Sequence, residues 1–418
     1  MEVLEVVGGK SLSGELEIES AKNSLLPIIA CSIINGKKVV INKFSKYSDV
    51  LCMLEILKDI GCVCEIDGDC LIIDSSNACK NLIKEELAKC VRSSVFMIGP
   101  LLSRFRSAKV SYPGGCNIGS RPIDLHIKGL KCLGVKVFER HGYIVCDGEN
   151  MRCGDIHLDF PSVGATENLM MASVCLKGIT RIYNPAREPE IIDLQNFLNT
   201  MGCKVYGAGS SVITIEGVDN LLNVEYTPIK DRIITGTYMI GCAMCGGDIR
   251  LIGAKTHDNL SLIDKLRYSG VTIEEMNDGL RVISNRRLKC IPQIETQPYP
   301  GFPTDMQNQI LTMLTIAKGT SLITENLFES RFNVCGELSK MGADIVVKDR
   351  TAIVKGVNAL SGANVRATDL RCGASLVLAG LVANGYTTIE DIYHIDRGYL
   401  SIEEDFCKLG GEIRRITT

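Results

Sequence analysis

Six glycines recur along this chain at nearly constant spacing, and that period limits the folds open to it. Each closes the same short pattern: an apolar or aromatic residue, three further positions, then glycine. The six are Leu57-Lys-Asp-Ile-Gly61, Leu130-Lys-Cys-Leu-Gly134, Leu198-Asn-Thr-Met-Gly202, Leu266-Arg-Tyr-Ser-Gly270, Leu338-Ser-Lys-Met-Gly342 and Phe406-Cys-Lys-Leu-Gly410. Successive glycines lie 73, 68, 68, 72 and 68 residues apart. The pattern reads as the end of an amphipathic helix with a glycine cap. Strand-like stretches usually follow, as in Val63-Cys-Glu-Ile66, Val135-Lys-Val137 and Ile345-Val-Val347.

A second element keeps step with the first. Six nearly charge-free segments, about 24–35, 93–103, 166–176, 235–246, 306–317 and 373–384, are rich in Ala, Leu, Met and Ile and reach helical length. A helix apolar on every side must be buried. A strand-like stretch follows each, usually after a glycine, as in Gly36-Lys-Lys-Val-Val-Ile41 and Gly385-Tyr-Thr-Thr-Ile389. Each unit therefore carries one buried helix, one amphipathic helix and several strands, an α/β pattern with a period longer than common solenoids. At 418 residues, two domains are expected. Each would hold buried helices inside, with sheet and amphipathic helix outside. The period does not say how six units divide.

Net charge is −3 and the pI about 6.1, so nothing asks for nucleic acid or an anionic membrane. The longest uncharged run, Cys372 to Ile389, has too short an apolar part to span a bilayer, which takes about 20 residues. No membrane segment is expected. The 19 cysteines are scattered, often inside apolar runs, and the chain opens on Met1-Glu2-Val3-Leu4-Glu5 with no secretory apolar stretch. Reduced thiols and a cytoplasmic location are the reading, not a disulfide framework.

Candidate chemistry gathers in turns. Tyr112-Pro-Gly-Gly-Cys116-Asn-Ile-Gly-Ser-Arg121-Pro-Ile-Asp-Leu125 sets a cysteine among glycines, five residues before an arginine that would lower its pKa and hold an anion. Taken alone, the stretch also reads as an ordinary glycine-rich turn with an incidental cysteine. Four of the six buried segments carry cations at their N-terminal ends: Lys22-Asn23, Arg92, Arg232 and Arg371. A cation there opposes the helix dipole, yet free N–H groups and a cation together suit an anion. The opposing reading sends each cation to solvent or to a local carboxylate, such as Asp231 beside Arg232. Other polar clusters fall in strand-to-helix loops: Pro161 to Gly164, Gly301 to Asp305, Glu325 to Arg331 and His394 to Tyr399. Asp305 sits at a helix start, where capping is the ordinary role of Asp; a general base is the other reading.

Two tempting motifs fail. Gly9-Lys10-Ser11 lacks the first P-loop glycine, since Leu4 stands there. Cys242-Ala-Met-Cys245 is a single pair inside an apolar helix, which favours core packing over a metal site. No metal or organic cofactor is expected.

Six segments carry a resemblance that covers almost the whole chain. They are Gly14 to Asn23, Pro113 to His126, Ser162-Val-Gly-Ala-Thr166, Phe302-Pro-Thr-Asp305-Met-Gln307, Asp369-Leu-Arg371 and His394-Ile-Asp-Arg397-Gly-Tyr399. In content and order the chain resembles the UDP-N-acetylglucosamine 1-carboxyvinyltransferases, a family of enolpyruvyl transferases. The resemblance implies an α/β fold of two inside-out barrels, three repeated units in each, with the active site in the cleft between them. It divides the chain into residues 1–20 with 230–418, and residues 21–229, the latter carrying the cysteine loop at about 112–125.

The implied reaction moves the enolpyruvyl group of phosphoenolpyruvate to the 3′-hydroxyl of UDP-N-acetylglucosamine and releases phosphate, the first committed step of peptidoglycan precursor synthesis. Lys22, Asn23, Arg121, Arg371 and Arg397 would hold phosphoenolpyruvate. The implied catalytic set is Cys116, the general acid and site of a covalent adduct, Asp305, the base on the sugar hydroxyl, Lys22 and Arg397. Asp369 would assist proton traffic. The resemblance assigns Arg121, Pro122, Ile123, Asp124 and Leu125 to the uridine end, and Ser162, Val163 and Gly164 to the diphosphate. Asp305 and Leu327 would meet the sugar, with Asn23 and Arg92 as further contacts. Phe160 stands where some members have lysine, which removes one cation from the diphosphate site. Cysteine at 116, not the aspartate of resistant members, implies sensitivity to fosfomycin. The shikimate-pathway enolpyruvyl transferase shares this chemistry, but it has Asp-Lys-Ser where this chain has Ala21-Lys22-Asn23 and lacks the cysteine loop. A non-enzymatic scaffold or binder is opposed by the intact set Lys22, Cys116, Asp305 and Arg397.

Overall fold

All six glycine motifs end helices, and one geometry explains them. The structure, a computed structural model, describes residues 2–114, 119, 122–285 and 287–417. The helices before the glycines are Ser48–Asp59, Asp124–Cys132, Pro189–Thr200, Leu260–Ser269, Val334–Lys340 and Ile402–Lys408. Their glycines take φ between 83° and 106°. The N–H after each glycine reaches back to the carbonyl of the motif's first residue: Cys62 to Leu57, Val135 to Leu130, Cys203 to Leu198, Val271 to Leu266, Ala343 to Leu338 and Gly411 to Phe406, at 2.8 to 3.1 Å. That closure needs a left-handed residue, which glycine adopts without a Cβ penalty. The six opening side chains are all at 0% exposure. Each such burial contributes about 1.5–3 kcal/mol, so the motif is both a backbone cap and a packing anchor.

The six charge-free segments form the buried helices α1 (Lys22–Cys31), α2 (Ile98–Phe105), α3 (Val163–Ser173), α4 (Arg232–Cys245), α5 (Gln307–Leu314) and α6 (Leu370–Val382). The second was expected to be helical from residue 93. It begins instead as a 3-10 turn, Arg92–Met97, and turns α-helical at Ile98. Pro100 gives the reason: it lacks an N–H and its ring crowds the preceding turn, so it is tolerated only near a helix start. Cys242 is fully buried in α4, its thiol 3.4 Å from the Val282 carbonyl.

The chain divides into two compact units. A terminal unit takes the residues up to Glu19 and those from Lys230 onward; an inserted unit runs from Ser20 to Ile229, residues 115–121 aside. Among the described residues each contains three four-stranded sheets. In one sheet of the inserted unit the order is Val224–Tyr226, Lys38–Ile41, Cys70–Asp74, Val63–Asp67. The first two strands are parallel, and an antiparallel hairpin follows. All six sheets repeat these pairings, one parallel and two antiparallel, with one strand always the one that leaves a buried helix; in one sheet the last antiparallel pair joins Glu2–Val7 to Glu412–Thr417 in place of a hairpin. The terminal unit borrows two strands from the chain start. Glu2–Val7 pairs with Tyr386–Glu390 and Glu412–Thr417, and Leu12–Glu17 lies parallel to Gly247–Ile252. Each unit thus has helices inside and sheets outside, the inside-out α/β arrangement. Among the described residues no helix is long and apolar enough to cross a membrane.

Candidate active site

In the terminal unit the polar residues gather at the heads of α4, α5 and α6. Asp305 does not cap a helix. It lies in the 3-10 turn Thr304–Met306, whose N-cap is Pro303. Its carboxylate instead takes Arg331 Nη2 on Oδ1 at 2.6 Å and Arg371 Nη2 on Oδ2 at 3.4 Å. Both arginines are buried, 3% and 6% exposed. Burial works against the Arg371 charge, but Asp305, Tyr399 and Asp231 more than offset it, and its pKa is raised.

The aspartates that do cap are Asp231 and Asp369. Asp231 accepts from the Ile233 and Ile234 N–H groups at 2.8 and 2.9 Å. Asp369 accepts from the Arg371 and Cys372 N–H groups at 2.8 and 3.1 Å. Each cation at these heads therefore has a carboxylate in the same turn, and neither Arg232 nor Arg371 points into solvent. The capping role of Asp369 uses Oδ1. Its Oδ2, like His394 Nδ1, is buried with no hydrogen-bond partner among the described residues. Burial and Arg397 lower the His394 pKa, against the pull of Asp369 and Asp391. Asp369, His394 and Arg397, the last at the end of the Ile392–Arg397 turn, thus share one electrostatic neighbourhood.

Glu325 links the Leu327 loop to the Asp305 turn. Its Oε1 accepts the Leu327 N–H at 2.8 Å and its Oε2 the Thr304 hydroxyl at 2.9 Å. That bond commits the Leu327 N–H.

In the inserted unit, Lys22 opens α1 and its ammonium meets Asp49 Oδ2 at 3.2 Å; both side chains are buried. Ala21 gives this head no side-chain cap. Pro27, inside α1, has no N–H, so the Asn23 carbonyl lacks its usual helical donor. α1 abuts the turn that begins at the half-buried Arg92. At the head of α3 the Ser162 hydroxyl accepts the Ala165 N–H at 3.4 Å, a long bond. Val163 and Gly164 follow, half-buried. A Cβ on Gly164 would lie 3.1 Å from the Phe96 ring and 3.2 Å from His126 Cε1, so glycine permits the close approach.

Asn168 sets the His126 ring. Its Oδ1 accepts the Gly99 N–H at 2.6 Å, so its Nδ2 donates, to the Val95 carbonyl at 2.8 Å and to His126 Nδ1 at 3.0 Å. Nδ1 is then an acceptor, and the proton of the neutral ring sits on Nε2. These bonds join the Arg92 turn, the head of α2, the Asp124–Cys132 helix head and α3, and Gly164 packs against the same His126 ring. Beside it Ile123 is buried, Leu125 half-buried, and Pro122 and Asp124 exposed. Phe160, in place of lysine, is 44% exposed. Cys116 and Arg121 lie outside the described residues.

The terminal unit therefore presents a carboxylate between two buried guanidinium groups, and the inserted unit presents helix heads beside a buried ammonium. The sequence did not single out Asp49 or Asn168. Arg331 stood in a quoted loop cluster, but nothing local announces a partner 26 residues away.

The EPSP synthase (3-phosphoshikimate 1-carboxyvinyltransferase) family matches residues 6–406. UDP-N-acetylglucosamine 1-carboxyvinyltransferase 2 of Clostridium tetani is 49% identical over 413 residues, 98% of this chain and 99% of that protein. The same-named protein of Caldanaerobacter subterraneus subsp. tengcongensis is 48% identical over 409 residues, 98% of each. Among solved structures, the enolpyruvyl transferase NikO from Streptomyces tendae superposes with a TM-score of 0.89 at 24% identity, over 100% of this chain and 99% of that one. EPSP synthase from Acinetobacter baumannii gives 0.76 at 18% identity, over 100% of both chains. At those identities the two structures speak for the fold.

Proposed function

Because this chain belongs to the EPSP synthase family of enolpyruvyl transferases, we propose that it transfers the enolpyruvyl group of phosphoenolpyruvate to the 3′-hydroxyl of UDP-N-acetylglucosamine. The reaction releases phosphate and starts peptidoglycan precursor synthesis. The observation that favours this acceptor over shikimate 3-phosphate is 48–49% identity, end to end, with relatives named for UDP-N-acetylglucosamine. We place the reaction in the cytoplasm, on the scattered cysteines.

The chemistry is an addition followed by an elimination. The sugar 3′-oxygen bonds to C2 of phosphoenolpyruvate while C3 takes a proton. The bond from C2 to the phosphate oxygen then breaks, a proton leaves C3, and the double bond returns. Asp305 is our base for the hydroxyl proton, and Cys116 our acid for C3. Lys22, Arg121, Arg371 and Arg397 hold the phosphate and carboxylate of phosphoenolpyruvate. Asn23 contributes its amide and its under-bonded carbonyl. Arg92 and residues Arg121 to Leu125 take the nucleotide end. Ser162, Val163 and Gly164 offer the N–H groups of the α3 head to the diphosphate, and Leu327 meets the sugar. Asp369 caps α6 through one oxygen and keeps the other for proton traffic. We read residues 1–20 with 230–418, and 21–229, as the family's two domains.

Phosphate release measured with each acceptor tests the reading. UDP-N-acetylglucosamine should support turnover and shikimate 3-phosphate should not; the reverse result would sink the proposal. Cys116→Ala should lower turnover by at least about 100-fold, the usual scale of a general acid, while nucleotide-sugar binding persists. Fosfomycin with nucleotide sugar should leave a mass adduct on the wild type and none on the variant.

A further inference from the structure

We infer that Arg415 is a positioning residue for Arg397, an inference that rests on reading Arg397 as a ligand of phosphoenolpyruvate. Arg415 lies on the last strand, Glu412–Thr417, opposite Leu4 of the first. It shares a face with Ile413, which is 5% exposed, because alternate residues of a strand point the same way. An arginine on that partly buried face must be paired, and here the pairing is dense. Its Nη2 and Nη1 donate to the two oxygens of Asp396 at 2.7 and 3.1 Å, a fork on one carboxylate. Its Nε donates to Glu403 Oε1 at 2.6 Å, with Nη2 3.4 Å from Oε2. Nη1 also reaches Glu2 Oε2 at 3.3 Å.

The fork closes on the residue that precedes Arg397. Asp396 and Arg397 end the 3-10 turn Ile392–Arg397, which opens on Asp391 in the left-handed region at φ 57°. Beyond the turn the Gly398 and Tyr399 N–H groups both reach the Ile395 carbonyl at 3.0 Å, and Tyr399 is 2% exposed. Arg397 is thus set between two fixed neighbours, a clamped carboxylate before it and a buried ring after it. A short 3-10 turn has few bonds of its own, so the direction in which it presents Arg397 depends on such outside ties. Glu403 stands in the first turn of Ile402–Lys408, so the same guanidinium holds that helix, the last strand and the Arg397 turn together. The side chains of Arg415 and Asp396 are 25% and 33% exposed. A pair this open to water contributes modestly to stability at most, whereas a two-pronged grip sets an orientation.

The test is phosphate release by the full-length protein with phosphoenolpyruvate varied, alongside calorimetric binding of UDP-N-acetylglucosamine and urea denaturation. The variants are Arg415→Gln, Arg415→Lys, Asp396→Asn, the Gln/Asn double variant and Arg397→Gln. Arg415→Gln should raise KM for phosphoenolpyruvate about tenfold while nucleotide-sugar affinity stays within about twofold. Asp396→Asn should do nearly the same, and the double variant should lie within about twofold of either single one, since all three lose one contact. Glu403 and Glu2 keep their cation in Asp396→Asn, so that variant isolates the fork. Arg415→Lys keeps the charge and loses the fork, so its KM should fall between wild type and Arg415→Gln. A KM within about twofold of wild type in Arg415→Gln overturns the inference. So do single effects that multiply in the double variant, or parallel losses of phosphoenolpyruvate affinity, nucleotide-sugar affinity and stability. If Arg415→Gln does not fold, a wild-type KM in Asp396→Asn overturns it. Arg397→Gln separates the inference from its premise. A wild-type KM there would remove Arg397 as a ligand; a raised KM there, with none in Arg415→Gln, would refute the role of Arg415 alone.

Discussion

The helix heads of the two units are finished in different ways. At two of the three heads of the terminal unit the protein satisfies its own N–H groups: Asp231 and Asp369 each take two of them at α4 and α6, while the turn that opens α5 has no side-chain cap. In the inserted unit Ala21 gives α1 no side-chain cap, Val91 gives none to the Arg92 turn, and Ser162 reaches one N–H of α3 at a long 3.4 Å. Every helix start has four N–H groups outside its own bonding. An anion approaching α4 or α6 would compete with a carboxylate already seated there. At α1 and α3 it would meet N–H groups and, in Lys22, an ammonium. Closed heads fix the geometry of Asp305 and its arginines; open heads are suited to a diphosphate.

The harshest trial of this contrast is Lys22→Ala. It removes a buried ammonium and leaves Asp49 buried without it, which costs about 3–5 kcal/mol. Lys22→Ala/Asp49→Ala should regain at least about half of that in urea denaturation. Affinity for phosphoenolpyruvate should be lost in both. If the double variant regained affinity along with stability, Lys22 would be a structural partner of Asp49 and not a ligand group.

A smaller effect concerns the acids themselves. The terminal unit uses its buried aspartates as caps and arginine partners. In the inserted unit Glu167, on α3 and fully buried, has no hydrogen-bond partner for either oxygen among the described residues. Burial, then Glu190 and Glu188, raise its pKa well above the carboxylate range. The folded chain therefore keeps a proton that the unfolded chain releases. Its contribution is full below the unfolded carboxyl value and is lost as pH rises towards the folded one. Glu167→Gln removes this dependence. Its stability relative to wild type should improve with pH above about 4.3, by up to about 1.4 kcal/mol per unit. A difference that stays flat from pH 5 to 8, roughly that range, would mean Glu167 is ionised in the fold.

The period was legible because its causes are local. A glycine that must turn left-handed, and an apolar residue four positions before it, lie side by side in the chain. The all-apolar helices were legible for the same reason, and the late start of α2 could have been read from Pro100. Sheet closure was not. Glu2–Val7 and Leu12–Glu17 find their partners near the other end of the sequence or more than two hundred residues away, and no local pattern specifies that. The site divides the same way. Asp231 and Asp369, each just before an apolar run, carried a readable capping signal that was overshadowed, for Asp369, by its expected proton role. The pairing of Asp305 with Arg331 and of Lys22 with Asp49 is purely tertiary.

The gentlest trial sets one cap from each unit side by side. Asp231→Ala deletes two good bonds to the α4 head, at 2.8 and 2.9 Å, and should cost about 0.5–2 kcal/mol of stability. Ser162→Ala deletes one long bond, and its cost should fall at or below about 0.5 kcal/mol. Binding of UDP-N-acetylglucosamine should rank them the other way. Asp231→Ala should leave it within about twofold, while Ser162→Ala should weaken it about tenfold, the value of one hydrogen bond to a charged group. Denaturation and calorimetry on the two variants therefore form a crossed design. If stability and affinity fall together in both, the heads of the two units do the same work, and the division between closed and open ends is not functional. If the ranks cross as stated, the diphosphate sits where the protein supplied the weakest cap of its own.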